Sequence, residues 1–100
     1  MGVIETMTFR LVDGTSKAEF LAVDKRLQSD FAYQQPGLVR RTTARGRRDG
    51  GDEWVVIDLW RRAADADACA ARWDDDPVAQ EFMALVDRDT VEVRRYDDLD

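Results

Sequence analysis

Apolar and polar side chains alternate from residue 4 to residue 12, with Met7, Phe9 and Leu11 on one side and Thr6, Thr8 and Arg10 on the other. That alternation predicts a strand with one buried face. Asp13-Gly14-Thr15 reads as a turn. Ser16, with Glu19 three residues later, forms a capping box that opens a helix. Phe20, Val23, Leu27 and Phe31 then recur at helical spacing, and Lys17, Lys25, Arg26 and Gln28 point away from them. Gln35-Pro36-Gly37 stops the helix, because proline disfavours a helical residue before it and glycine tolerates positive φ. Residues 38–45 predict a second, more polar strand. Arg47 to Asp52 is a turn, with Gly50-Gly51 the permissive pair for a hairpin.

Residues 53–61 follow a different pattern. Trp54, Val56 and Trp60 point one way while Val55, Ile57 and Leu59 point the other, so the segment is apolar on both faces. It predicts a central strand covered on both sides. Asp58 stands in its middle, and an ionisable group there requires a partner or a function. Beyond it, Asp65 or Asp67 is expected to cap a second helix with Ala66, Cys69, Ala70 and Trp73 on one stripe. Asp76 and Pro77 predict a restart, as N-cap and first helical residue, and Val78, Phe82 and Leu85 continue the apolar face. Val91, Val93 and Tyr96 belong to a last strand, and residues 97–100 form an acidic tail expected to fray.

The resulting order is β-α-β-β-α-β. Right-handed crossovers favour an α+β, ferredoxin-like four-stranded antiparallel sheet in which the first and third strands are central. The charged residues agree: Arg40, Arg41 and Arg45 fall on one expected edge strand, Glu92, Arg94 and Arg95 on the other. Two helices cover only one face of such a sheet. One of the two apolar sets of the third strand is therefore left to a partner, and a two-fold homodimer with sheets face to face is the simplest closed solution.

Composition narrows the chemistry. One hundred residues form a single domain spanning residues 1–100. The chain has no His and no Asn, which removes the usual zinc and haem ligand, the commonest general base and any His-activated nucleophile. A lone Cys69 makes no internal disulfide, and the chain starts without a basic, apolar leader; both point to the cytoplasm. No apolar run is long enough for a membrane span. The net charge is -6, with 11 Lys/Arg against 9 Asp/Glu in residues 1–64 and 4 against 12 in residues 65–100. That balance argues against nucleic-acid binding. The arginine run Arg40, Arg41, Arg45, Arg47 and Arg48 reads as a solvated hairpin answering the acidic half. Asp74-Asp75-Asp76 diverge around a helix and read as capping rather than as a cation site.

A Gln-Pro-Gly after the first helix, a hairpin, an acid-x-Trp closing the third strand and an Ala-rich helix together resemble the dimeric α/β-barrel superfamily. Within it, the chain is most similar to antibiotic-biosynthesis-monooxygenase-type (ABM) domains over residues 4–96, with Pro36-Gly37 and Asp58-x-Trp60 as the matching positions. The resemblance implies a two-fold dimeric α/β barrel. The family's activities include cofactor-independent oxygenation of phenolic polyketides, haem degradation, isomerisation and cyclisation. Trp60 matches the Trp that lines the cavity between sheet and helices in the oxygenases. The Asn that accompanies it in the family falls at Val56, and the His on which the haem-degrading branch relies has no counterpart. No cofactor is expected.

Asp58 shares its face with Trp54, Val56 and Trp60. With the hairpin turn centred on Asp49-Gly50, Arg41 lies across from Asp58 and Val39 across from Trp60; a one-residue slip puts Arg40 there instead. An Asp58–Arg41 pair on an apolar cavity wall has two readings. In one, Arg41 holds a phenolate or carboxylate and Asp58, its pKa raised by desolvation, takes a proton. In the other, the pair is structural and fixes the hairpin or the dimer. Trp60, Trp54 and Trp73 offer stacking surface for a flat aromatic ligand, Phe31 is a further candidate for contact with it, and Tyr96 and Tyr33 for a hydrogen bond to it. Cys69, without a nearby base, reads as a small buried hydrophobe. Three functions fit: a cofactor-independent monooxygenase for an aromatic substrate, a non-catalytic ligand-binding dimer, and a structural dimer whose interior is filled by Trp60, Trp73 and Phe82.

Overall fold

The computed structural model describes residues 2–48 and 51–99. Strand β1 (Gly2–Leu11) leads through a short turn to helix α1 (Lys17–Asp30). Ser16 caps α1 as its sequence predicts, its hydroxyl accepting the Glu19 N–H at 3.0 Å. The helix ends at Asp30, earlier than the Pro36-Gly37 signal implies. A single 3-10 turn, Ala32–Gln34, carries the chain the rest of the way. Gly37 then adopts φ +85, and the Asp65 carboxylate packs so closely on its α-carbon that any Cβ would collide with it. Both constraints select glycine at this turn.

Strands β2 (Leu38–Arg48) and β3 (Gly51–Trp60) form the expected hairpin, with Arg48 paired to Gly51. The turn centre Asp49-Gly50 lies outside the described residues. Helices α2 (Ala63–Trp73) and α3 (Pro77–Ala84) are separated at the restart that Asp76-Pro77 predicts, and Asp76 caps the second through the Ala79 N–H at 2.8 Å. Neither Asp65 nor Asp67 caps α2. Arg62 occupies the N-cap position without a side-chain cap bond; Asp65, inside the first turn, lies against Gly37 and 3.6 Å from Arg62 Nε, and Asp67 pairs with Arg95. Strand β4 (Val86–Asp98) runs longer at both ends than its sequence predicts. Asp97 and Asp98, expected in a frayed tail, pair with Val3 and Gly2.

The strand order is β2-β3-β1-β4, antiparallel throughout, so β1 and β3 are central and the arginine-rich strands are edges. This is the ferredoxin-like α+β arrangement. The helices cover the face carrying Phe9, Trp54, Val56 and Trp60. There Phe9, Phe20 and Phe82 pack edge to face or tilted at ring separations of 5.4–5.8 Å. Ile57, on the opposite face of β3, stays 38% exposed. The apolar set left uncovered is therefore Val55, Ile57 and Leu59.

Candidate functional site

Between the covered face of the sheet and helices α2 and α3 lies a cavity of about 340 Å³. Met7, Val56 and Trp60 form its sheet side, and Trp73 and Phe82 its helix side. These aromatic side chains line the space rather than fill it, which removes the reading of a fully packed interior. Val93 and Arg95 of β4 and Ala70 of α2 are its exposed walls. A volume of this size suits a flat organic molecule.

Four charged residues line the cavity, and strand register places them in one row. Arg41 pairs with Asp58 across β2 and β3, Asp58 with Glu5 across β3 and β1, and Glu5 with Arg95 across β1 and β4. Directly opposed residues of antiparallel strands share a face, so the whole row points into the same space. The turn-centred register is thus the one adopted at Arg41. Past it, a bulge at Val39 shifts the ladder, and Leu38 rather than Val39 opposes Trp60.

The ion pair that Arg41 makes with Asp58 is long, Nη1 to Oδ1 3.6 Å. Its short partner is Asp24 on α1: Arg41 Nη2 donates to Asp24 Oδ1 at 2.8 Å. Both side chains are almost wholly removed from water. Asp24 Oδ2 accepts from Thr43 Oγ1 at 2.8 Å and from Gln28 Nε2 at 3.0 Å, so this buried carboxylate is fully satisfied. The Arg41 backbone is held too, its N–H donating to the Tyr33 hydroxyl at 2.9 Å and its carbonyl accepting from that hydroxyl at 3.3 Å. Tyr33 is a brace for Arg41 and not a wall of the cavity. Sequence reasoning passed over Asp24. The signal was its place four residues after Phe20 and three before Leu27, inside an otherwise apolar helical stripe.

Asp58 has a different environment. Burial pushes its carboxyl up to about 6; the Arg41 charge opposes that rise, and the nearby Glu5 and Asp24 add to it. Its Oδ1 makes no hydrogen bond among the described residues, and neither does the buried indole N–H of Trp60, two residues along on the same face. Cys69 on α2 is another wall. Burial, reinforced by Asp58 and Glu5, pushes its thiol up to about 11, which makes it a poor nucleophile, in keeping with the reading of a small hydrophobe. At the other end of the row, Arg95 Nε donates to Glu5 at 2.8 Å and Nη1 to Asp67 on α2 at 2.6 Å.

Of the residues singled out from the sequence, Asp58, Arg41, Trp60 and Trp73 meet at this cavity. Phe31 does not line it: it is buried edge-on against Trp73, ring centroids 5.7 Å apart, and belongs to the core. Tyr96 does not line it either. Paired with Ile4, it stands on the uncovered face of the sheet because it is one residue out of phase with Arg95. Val56 presents an aliphatic wall to the cavity. Trp54 packs on Phe20 at 4.7 Å and is core. Among the described residues, no group of three or more His, Cys, Asp or Glu side chains is placed to hold a metal ion, and no helix is long and apolar enough to cross a membrane.

No family model and no curated protein sequence matches the chain. Solved structures do. SnoaB, a cofactor-independent oxygenase from Streptomyces nogalater, is 28% identical with a TM-score of 0.76, over 99% of this chain and 94% of that one. A candidate antibiotic biosynthesis monooxygenase from Chloroflexus aurantiacus superimposes with a TM-score of 0.69 at 15% identity, over 100% of this chain and 95% of its own. Rv0793 from Mycobacterium tuberculosis gives 0.63 at 18%, over 100% and 97%. The last two likenesses are of fold. The similarity first visible in Pro36-Gly37 and Asp58-x-Trp60 thus extends through the whole architecture, and the chain shares its ferredoxin-like fold with SnoaB and with these monooxygenase-like structures.

Proposed function

We propose that this protein is a cytoplasmic homodimer that binds a flat aromatic molecule beside Trp60 and oxygenates it with dioxygen and without a cofactor, Asp58 acting as the base. The observation that carries this reading is a carboxyl group raised to about 6 on the wall of a largely apolar cavity of about 340 Å³. The 28% identity to a cofactor-independent oxygenase supports it. An ordinary carboxylate is about six pKa units too weak to deprotonate a phenol; at about 6 the gap narrows by roughly a third. The phenolate so formed is electron-rich enough to reduce dioxygen itself. One oxygen atom enters the ring, the other leaves as water, and the substrate supplies all four electrons as it becomes a quinone. The unpartnered Trp60 N–H is the donor available to the substrate oxygen.

Oxygen uptake with a panel of polycyclic phenols tests the proposal. The wild type should consume oxygen with at least one of them, and Asp58→Asn should lose that turnover by two orders of magnitude or more. Turnover that survives in Asp58→Asn removes the residue from the role of base. Val56, which brings no amide to the cavity, favours a second reading: binding without turnover in the same space. Ligand binding with no oxygen uptake from any phenol would establish that one instead.

For the dimer, the support is the uncovered sheet face, where Val55 and Leu59 are half-buried and Ile57 and Tyr96 are exposed. A second copy of the same face would bury them. The acidic balance of the chain supports a partner list without nucleic acid.

A further inference from the structure

The two arginines at the ends of the charged row are both already matched. Arg41 gives its short bond to Asp24 inside the fold, and its guanidinium also lies 5.9 Å from the Phe82 ring centroid. Its remaining unpartnered donor, Nε–H, is buried. Arg95 is clasped by Glu5 and Asp67 together. Asp58 and Glu5 stand side by side on the two central strands, and each shares its arginine with another carboxylate, Asp24 on Arg41 and Asp67 on Arg95, so two carboxylates fall to each cation. Among the described residues, the charged side chains lining this space are Glu5 from β1, Arg41 from β2, Asp58 from β3 and Arg95 from β4, with Asp24 of α1 and Asp67 of α2 behind the arginines. Six ionisable groups carry four negative charges against two positive. The unionised thiol of Cys69 adds nothing to offset the excess.

We infer that the cavity selects uncharged or cationic aromatic ligands that donate hydrogen bonds and rejects aromatic acids, and that Asp24 sets this preference by neutralising Arg41. This assignment rests on the proposed binding site and gives it a ligand class. It reverses the expectation that Arg41 holds an anionic group. Acceptors are what the walls offer: Asp58 Oδ1 lacks a donor, and Glu5, although bonded to Arg95, stands beside it. A carboxylate brought against these two would face like charge at close range in partly desolvated surroundings. A phenol, a neutral amine or an ammonium group would meet acceptors instead. Asp24 touches no ligand in this scheme. It is a specificity-determining residue that acts through Arg41.

Three probes of one shape test it: 2-naphthol, 2-naphthylmethylammonium and 2-naphthoate, titrated at pH 7.5 against the full-length protein by tryptophan fluorescence and calorimetry. The wild type should bind the first two at least tenfold more tightly than the naphthoate. Asp24→Asn keeps the shape of the side chain and frees the Arg41 charge, so naphthoate binding should strengthen at least tenfold and the preference should narrow or invert. Glu5→Gln, at the cavity rim, should improve naphthoate binding without unfolding the chain and carries the test where Asp24→Asn does not fold. Wild-type binding of naphthoate as tight as that of the other two would overturn the inference while leaving the cavity reading intact. So would a folded Asp24→Asn protein with unchanged selectivity. Failure of all three probes to bind would overturn the cavity reading and this inference with it.

Discussion

Asp58 and Asp24 are both buried carboxyl groups near Arg41, yet their surroundings treat them oppositely. Asp24 accepts three hydrogen bonds, one of them from a guanidinium at 2.8 Å, so both of its oxygens are matched. Asp58 keeps the same arginine at 3.6 Å and has Glu5 as its cross-strand neighbour, so desolvation prevails and its pKa rises to about 6. The consequence for stability follows from linkage. Because the folded protein binds the Asp58 proton more tightly than the unfolded chain does, this proton's stabilising contribution is complete below pH 4 and disappears as pH rises through 6. At neutral pH the ionised group leaves the fold about 2–3 kcal/mol less stable than it would be with a neutral side chain there. Asp58→Asn should therefore match the wild type in urea unfolding near pH 4 and exceed it by about 2 kcal/mol at pH 8. A difference independent of pH would show that the Asp58 carboxyl titrates as an ordinary one.

At the scale of elements, the local signals that proved legible are those with a single physical cause. Ser16 and Asp76 cap helices because a side-chain oxygen must meet a free N–H there, and the amphipathic alternation of β1 has only one satisfactory sheet placement. The Arg41–Asp58 register is one of the two that the hairpin length and the period of two allow, the other placing Arg40 there. What escaped was decided by contacts distant in sequence. Asp65 reads as a cap, but the helix starts earlier, at Ala63, and leaves Asp65 inside its first turn, packed against Gly37. Phe31 reads as a cavity wall, but the edge of Trp73 covers it. The bulge at Val39 changes the partner of Trp60, and periodicity carries no information about where an edge strand gains a residue. Asp24 was hidden for a related reason: a polar residue within a helical stripe signals a buried network only once its partners, here Arg41 and Thr43 on β2, are known to lie opposite. Of the candidate site, the strand residues Asp58, Trp60 and Arg41 were therefore readable and the helix-borne partner was not.

For the molecule as a whole, the sheet has one face under helices and one face bare. The two-sided apolar character of β3 then requires something on the second side. Ile57→Asp tests this cleanly, because Ile57 lies outside the helix-covered core and its replacement leaves the cavity walls untouched. Sedimentation should show a dimer for the wild type and a folded monomer for the variant; a monomeric wild type would remove the proposed assembly. The cavity is a matter of this same scale, since its walls come from all four strands and from α2 and α3. Its defining feature is a carboxyl group withdrawn from water beside Trp60. Carbon-13 detected NMR titration of the Asp58 side chain, with and without 2-naphthol, measures that feature directly. A midpoint near 6 that moves when the ligand binds is the result expected. A midpoint near 4, indifferent to the ligand, would contradict the account.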